Sequence, residues 1–203
     1  MLFRSLAPGF IDLHTHGNPL EKSFENFLAM GVTTVVMGQD GSSVGLEAAP
    51  AEVPFAQWAS AAEAAGVQVN VAALSGHGSI RHLAQIPDSV RKLSPEQIAR
   101  MREVLRADLQ AGTYGMSTGL EYVPGIYSEP EEVLALAREV GAAGGVVMSH
   151  MRSENDETID QSIDELAAQG AYARVHISHL KVVFGKGAAI WRSEERRVGK
   201  ECR

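Results

Sequence analysis

Short apolar or β-branched runs alternate with longer segments of helical period along most of the chain. The runs fall at 9–15 (GFIDLHT), 32–37 (VTTVVM), 67–74 (VQVNVAAL), 114–118 (YGMST), 145–149 (GVVMS) and 174–179 (RVHISH). The clearest helix is predicted over 95–110, where Ile98, Met101, Leu105 and Leu109 recur on one face. Ser94 and Gln97 are spaced as a capping box, and Pro95 suits the first helical position. A second helix is predicted over 129–143, opened by Ser128 with Glu131 and closed by Gly144 and Gly145. A third, over about 156–169, turns Ile159, Ile163, Leu166 and Ala167 inward and ends at Gly170.

Strands alternating with helices over short connections predict a parallel sheet covered by helices, an α/β fold. The alternatives are an open doubly wound sheet and a (β/α)8 TIM barrel. A dinucleotide-binding sheet wants a glycine-rich turn after its first strand. Here the first run ends in histidines, and so do two later ones, which fits a barrel with functional residues at its strand ends. About six of the eight strands are visible, so the expectation is a partial barrel over residues 1–191.

Composition narrows the function. Hydrophobic residues make up 45% and charged residues 21% of the 203, as in ordinary globular proteins. A net charge of −7 offers no basic face for nucleic acid. No apolar run is long enough for a membrane helix, and MLFRSL lacks the apolar core of a signal peptide, so a cytoplasmic location is expected. The single cysteine, Cys202, excludes an internal disulfide and a cysteine zinc cluster. Eight of the twelve residues in 192–203 (RSEERRVGKECR) are charged. That segment is expected to be non-native and to lie outside the barrel.

The chemistry centres on histidine. His14 and His16 form an H-x-H pair whose side chains, two apart in a strand, share one side. The same parity makes His150 and His179 the last inward residues of their runs, and gives His176 the wrong side. Four imidazoles at one barrel mouth predict a metal site, with zinc preferred over iron or manganese. Asp40, after the second run, is the expected anionic ligand, with Glu121 the runner-up. The fourth run has no lysine to carry a carbamate bridge.

The motifs PGFIDLHTHGNP, GVTTVVMGQDGSS, SGHGSIR, GMSTGLEYVPGIYSEPEEV, SHMRSEND and VHISHLK, in this order, resemble those of the N-acyl-D-amino-acid deacylase (D-aminoacylase) family of the amidohydrolase superfamily. The resemblance covers about residues 7–191. It implies a barrel bearing one or two zinc ions, beside a small β-sandwich, in which a metal-activated water cleaves the amide of an N-acyl-D-amino acid. It carries the ligand roles onto His14, His16, His150 and His179. Many relatives have cysteine where Asp40 stands, in an N-C-G motif that reads Q-D-G here. The general base implied by the resemblance is an aspartate at the end of an eighth strand, which this sequence does not contain. The chain is therefore expected to be truncated at both ends, and inactive as it stands.

Four further residues are expected to touch a small-molecule N-acyl amino acid substrate: Tyr122, Lys181, Arg152 and His77. His82 and His176 are read as structural or surface histidines. A cyclic amide hydrolase (hydantoinase or dihydroorotase type) and an inactive metal-binding fragment are the competing readings. Neither nucleic acid nor a membrane is expected as a partner, and the sequence leaves the oligomeric state open.

Overall fold

The computed structural model describes residues 7–45 and 52–183. Cys202 and the charged segment 192–203 lie outside them. Strand β1 (Phe10–Asp12) pairs with β2 (Val32–Met37), which pairs with β3 (Asn70–Ala73), all parallel. A second parallel sheet runs β4 (Ser75–Gly76), β5 (Gly115–Gly119), β6 (Val146–His150) and β7 (Arg174–Ile177). The sheets share one path of chain, because β3 passes through Leu74 directly into β4. Leu74 N–H donates to Met37 on one side of that path, and Tyr114 N–H donates to Ala73 on the other. The six runs of the sequence thus become six strand paths, the third of them bent at Leu74.

Helices cover the outer face: α1 (Glu25–Ala29), α2 (Phe55–Ala65), α3 (His77–Leu83), α4 (Pro95–Gln110), α5 (Pro130–Ala142) and α6 (Ile159–Gln169). Alternate residues of each strand divide between two layers. Val35 and Met37 pack outward with Trp58 and Ala62 of α2. Val147 packs outward with Met101 and Leu105 of α4, Leu136 and Val140 of α5, and Ile163 and Leu166 of α6. Each of these fully buried side chains contributes roughly 1.5–3 kcal/mol by leaving water. Val36 of β2, Leu74 and Met148 of β6 meet on the inner face. Contact between strands that are not neighbours shows that the sheet curls, as a barrel wall does. No helix among the described residues is long and apolar enough to cross a membrane.

Helix α4 has the expected capping box: Gln97 N–H donates to Ser94 Oγ at 3.3 Å, and Ser94 N–H to Gln97 Oε1 at 2.8 Å. Three expectations give way. Ser128 does not cap α5; its hydroxyl donates instead to the Gly125 carbonyl at 2.6 Å, a bond that holds the preceding turn. Ala167 is exposed, and Gln169 takes the buried place on α6. The parity of the last strand is reversed. His176 pairs in register with Met148, an inner-face residue, whereas Ile177 packs with the outer helices. His179 lies two residues beyond the strand, so its position comes from the turn and not from the pleat.

Asp108 of α4 is buried and ties three elements together. It accepts from Ser75 Oγ at 2.5 Å and from Phe55 N–H at 3.0 Å. Burial raises its pKa above the ordinary aspartate value, against the pull of those two donors. A raised folded-state pKa means that the fold favours the protonated form. Its contribution is therefore full below the unfolded pKa of about 3.9 and is lost as pH rises through the folded value. Urea titrations across that window should show the wild type losing stability relative to Asp108→Asn. Parallel pH profiles for the two proteins would contradict this.

Candidate metal centre

The ionisable side chains sit at the C-terminal ends of the strands, His150 as the last residue of β6 and the others on the loops that follow. His14 and His16 follow β1 and lie outside it. Their loop is fastened by Thr15 N–H to the Val36 carbonyl (3.0 Å) and His14 N–H to Asp12 Oδ1 (3.0 Å). The buried Gln39 amide reaches across, donating to the Leu13 and Val36 carbonyls at 3.0 and 3.1 Å. Asp40 follows β2 in a left-handed conformation, φ 53°. That conformation costs most residues energy but is tolerated by Asp and Asn.

The Asp40 loop is held through its own backbone. Gly41 N–H donates to Ser117 Oγ at 3.1 Å, and the Gly41 carbonyl accepts from Gly78 N–H at 2.8 Å. A Cβ added at Gly119 would lie 2.1 Å from the Asp40 carbonyl oxygen, so a side chain there has no room.

These loops converge. His14 Nε2 and His16 Nε2 are 3.1 Å apart and lie 3.4 and 3.3 Å from Asp40 Oδ2. His150 Nδ1 lies 2.9 Å from His179 Nε2. His14, His16 and Asp40 can offer ligand atoms all within 4.8 Å of one another, and so can Asp40, His150 and His179. Asp40 is common to both groups. Glu121 and Glu154 form a third such group with His150, whose Nε2 is 3.0 Å from Glu121 Oε2.

The donor set fits a divalent cation. Imidazole nitrogens and carboxylate oxygens suit zinc, iron or manganese. Buried Asp40 Oδ1 and His14 Nδ1 have no hydrogen-bond partner. Burial holds the His14 pKa below the ordinary imidazole value; Asp40 opposes this, and His16 and His179 reinforce it. His14 is thus kept neutral, the form that ligates. The Tyr122 hydroxyl lies 3.2 Å from His150 Nδ1, and burial, then the charges of Asp40 and Glu121, push its pKa up, so the phenol keeps its proton.

The four expected substrate contacts fare differently. Tyr122 lines a cleft of about 500 Å³ that reaches from His16 and Asp40 past Ser79 to His82. Lys181 Nζ is 3.2 Å from Glu154 Oε2, near the cluster and half exposed. His77 is wholly buried, with Nε2 2.8 Å from Glu132 Oε1, so it faces no cleft. Its motif forms α3 and turns inward, away from the cleft where the sequence suggested a substrate contact. Arg152 has its guanidinium taken up by Glu165 through two bonds of 2.8 Å, which ties the loop after β6 to α6. His82 is partly exposed, 2.9 Å from Asp88 Oδ1. Sequence reasoning passed over Gln39 and Glu154. Each is a lone polar residue in a polar loop, and nothing in the residue pattern marks it.

No family model matches the chain. Among curated proteins, it is 34% identical over 92% of its length to an N-acyl-D-glutamate deacylase of Alcaligenes xylosoxydans xylosoxydans. It is 33% identical over 88% of its length to a D-aminoacylase of the same organism. The chain spans only 42% and 40% of those two proteins. Among solved structures, a D-aminoacylase studied for its binuclear metal center superposes with a TM-score of 0.85 at 28% identity, over 96% of this chain and 45% of that one. The N-acyl-D-glutamate deacylase from Bordetella bronchiseptica, complexed with zinc and a phosphonate mimic of the tetrahedral intermediate, gives 0.80 at 27% identity, over 96% and 44%.

Proposed function

Since this chain belongs to the D-aminoacylase family of amidohydrolases, we propose that the protein hydrolyses the amide bond of N-acyl-D-amino acids at a zinc centre held by His14, His16, Asp40, His150 and His179. The observation that carries the reading is the place of Asp40, whose carboxylate is shared by the two histidine pairs. One zinc ion bound there would lower the pKa of its water to about 7 and so supply a nucleophile at neutral pH.

The protein's own residues do the rest. Asp40 brings negative charge to a site that is otherwise built of imidazoles. The Asp40 loop, fixed by its contacts with Ser117, Gly78 and Gly119, is already in place, so little reordering accompanies binding. Protonated Tyr122 directs its hydroxyl at His150 and forms one wall of the cleft. A volume of about 500 Å³ lies within the usual range for small-molecule sites. Lys181, paired with Glu154 beside the cluster, would meet the substrate carboxylate.

The test pairs zinc calorimetry with hydrolysis of N-acetyl-D- and N-acetyl-L-amino acids and of a hydantoin. Zinc binding with cleavage of the D-amides alone is the expected result. Zinc binding with cleavage of the hydantoin alone would move the protein to the cyclic amide hydrolases. Zinc binding with no cleavage would leave a metal-binding protein without this activity.

A further inference from the structure

Glu154 lies on the loop after β6 and is 1% exposed, unusual for a carboxylate. Its Oε1 is 2.5 Å from His179 Nδ1, and its Oε2 is 3.2 Å from Lys181 Nζ. Its backbone is fixed as well, since Val183 N–H donates to the Glu154 carbonyl at 3.0 Å. The His179 contact is an ion-pair approach whose alignment falls short of a regular hydrogen bond. A carboxylate that close repels a nitrogen lone pair and attracts an N–H, so it favours the tautomer with the proton on Nδ1. The proton on Nδ1 leaves the Nε2 lone pair free on the opposite side of the ring, the side that faces His150. A buried carboxylate is costly to keep unless it is paired.

We propose that Glu154 is a positioning residue: it fixes the tautomer and orientation of His179 so that Nε2 is presented to the metal. The inference rests on the metal reading above and adds a residue to it. Carboxylates behind ligating histidines commonly hold the ring and raise its basicity, and their loss typically costs about 10–100-fold in metal affinity. The grouping of Glu154 with Glu121 and His150 offers a rival role as a direct ligand.

Zinc affinity of the full chain, measured by competition with a chelator, separates the two roles through three variants. Glu154→Ala should bind zinc about 10–100-fold more weakly. Glu154→Gln retains a carbonyl oxygen at the same reach, which can still accept from Nδ1–H, and should stay within about threefold of wild type. Glu154→Asp keeps the charge but withdraws it by one methylene, and should fall near the alanine variant. If Asp retains the metal and Gln loses it, the carboxylate acts as a ligand and the positioning role is wrong. Equal affinity in all three also overturns it. The order of Gln and Asp decides the matter even if Glu154→Ala does not fold. A wild type that binds no zinc removes the metal reading and this inference together, whereas wild-type binding untouched by the variants removes this inference alone.

Discussion

Asp40→Asn is expected to lower zinc affinity by about two orders of magnitude or more, at least the upper end of what losing a supporting partner costs. Asparagine is the informative replacement because it also tolerates the left-handed backbone that Asp40 adopts at φ 53°. Alanine there would add strain and blur the result. The metal-free melting temperature should therefore stay close to wild type while chelator competition shows the metal lost. Asp40→Cys makes the complementary case. A thiolate should retain zinc and shift preference away from harder ions such as manganese. Wild-type affinity in Asp40→Asn would remove Asp40 from the ligand set and leave Glu121, 3.0 Å from His150, as the carboxylate to test.

The largest loss of stability is expected from Glu132→Ala. Glu132 of α5 accepts two bonds of 3.1 Å from Arg81 Nη1 and faces His77, both on α3. Arg81 and His77 are fully buried, and Glu132 is 2% exposed. Arg81 Nη2 also donates to the Val90 carbonyl. Removing the carboxylate strands a guanidinium in a dry interior, a change that costs about 3–5 kcal/mol. Urea unfolding should show it as a lower midpoint at unchanged slope. Replacing both charges, Arg81→Met with Glu132→Leu, should recover much of that loss, because well-packed apolar residues often match a buried ion pair. A single-variant loss under about 1 kcal/mol, the scale of an exposed pair, would show that water reaches the cluster.

The elements with a strong period were the legible ones. VTTVVM became β2 at the predicted residues, and 95–110 became α4. The short and the fully buried elements were not. Helix α3 (HGSIRHL) buries five of its seven residues, so it shows no contrast between a wet and a dry face and no helical period in the sequence. That is why His77 looked like a cleft residue and lies in the core. The parity argument failed for His179 because the strand stops at Ile177 and a turn brings the ring back to His150. Arg152 illustrates a different limit. Its bidentate fork was recognisable, but Glu165, its partner thirteen residues away on α6, was not. The four histidines and Asp40 that the sequence singled out lie together in space, and the residue carrying the shared charge sits in a D-G turn that could as well have been ordinary.

The glycine seam around the Asp40 loop also bears on protein engineering. Cβ atoms at Gly76 and Gly119 would fall 2.4 and 2.1 Å from facing backbone atoms, and one at Gly41 2.8 Å from Gly119 N. A library meant to retune substrate choice would waste its diversity at those positions, where nearly every member would be lost to misfolding. Randomisation belongs across the cleft instead, at Glu52, His82 and exposed Val123, which lie outside the ligand groups of the centre. The seam thus draws a practical boundary between the scaffold to be inherited and the wall that is open to selection.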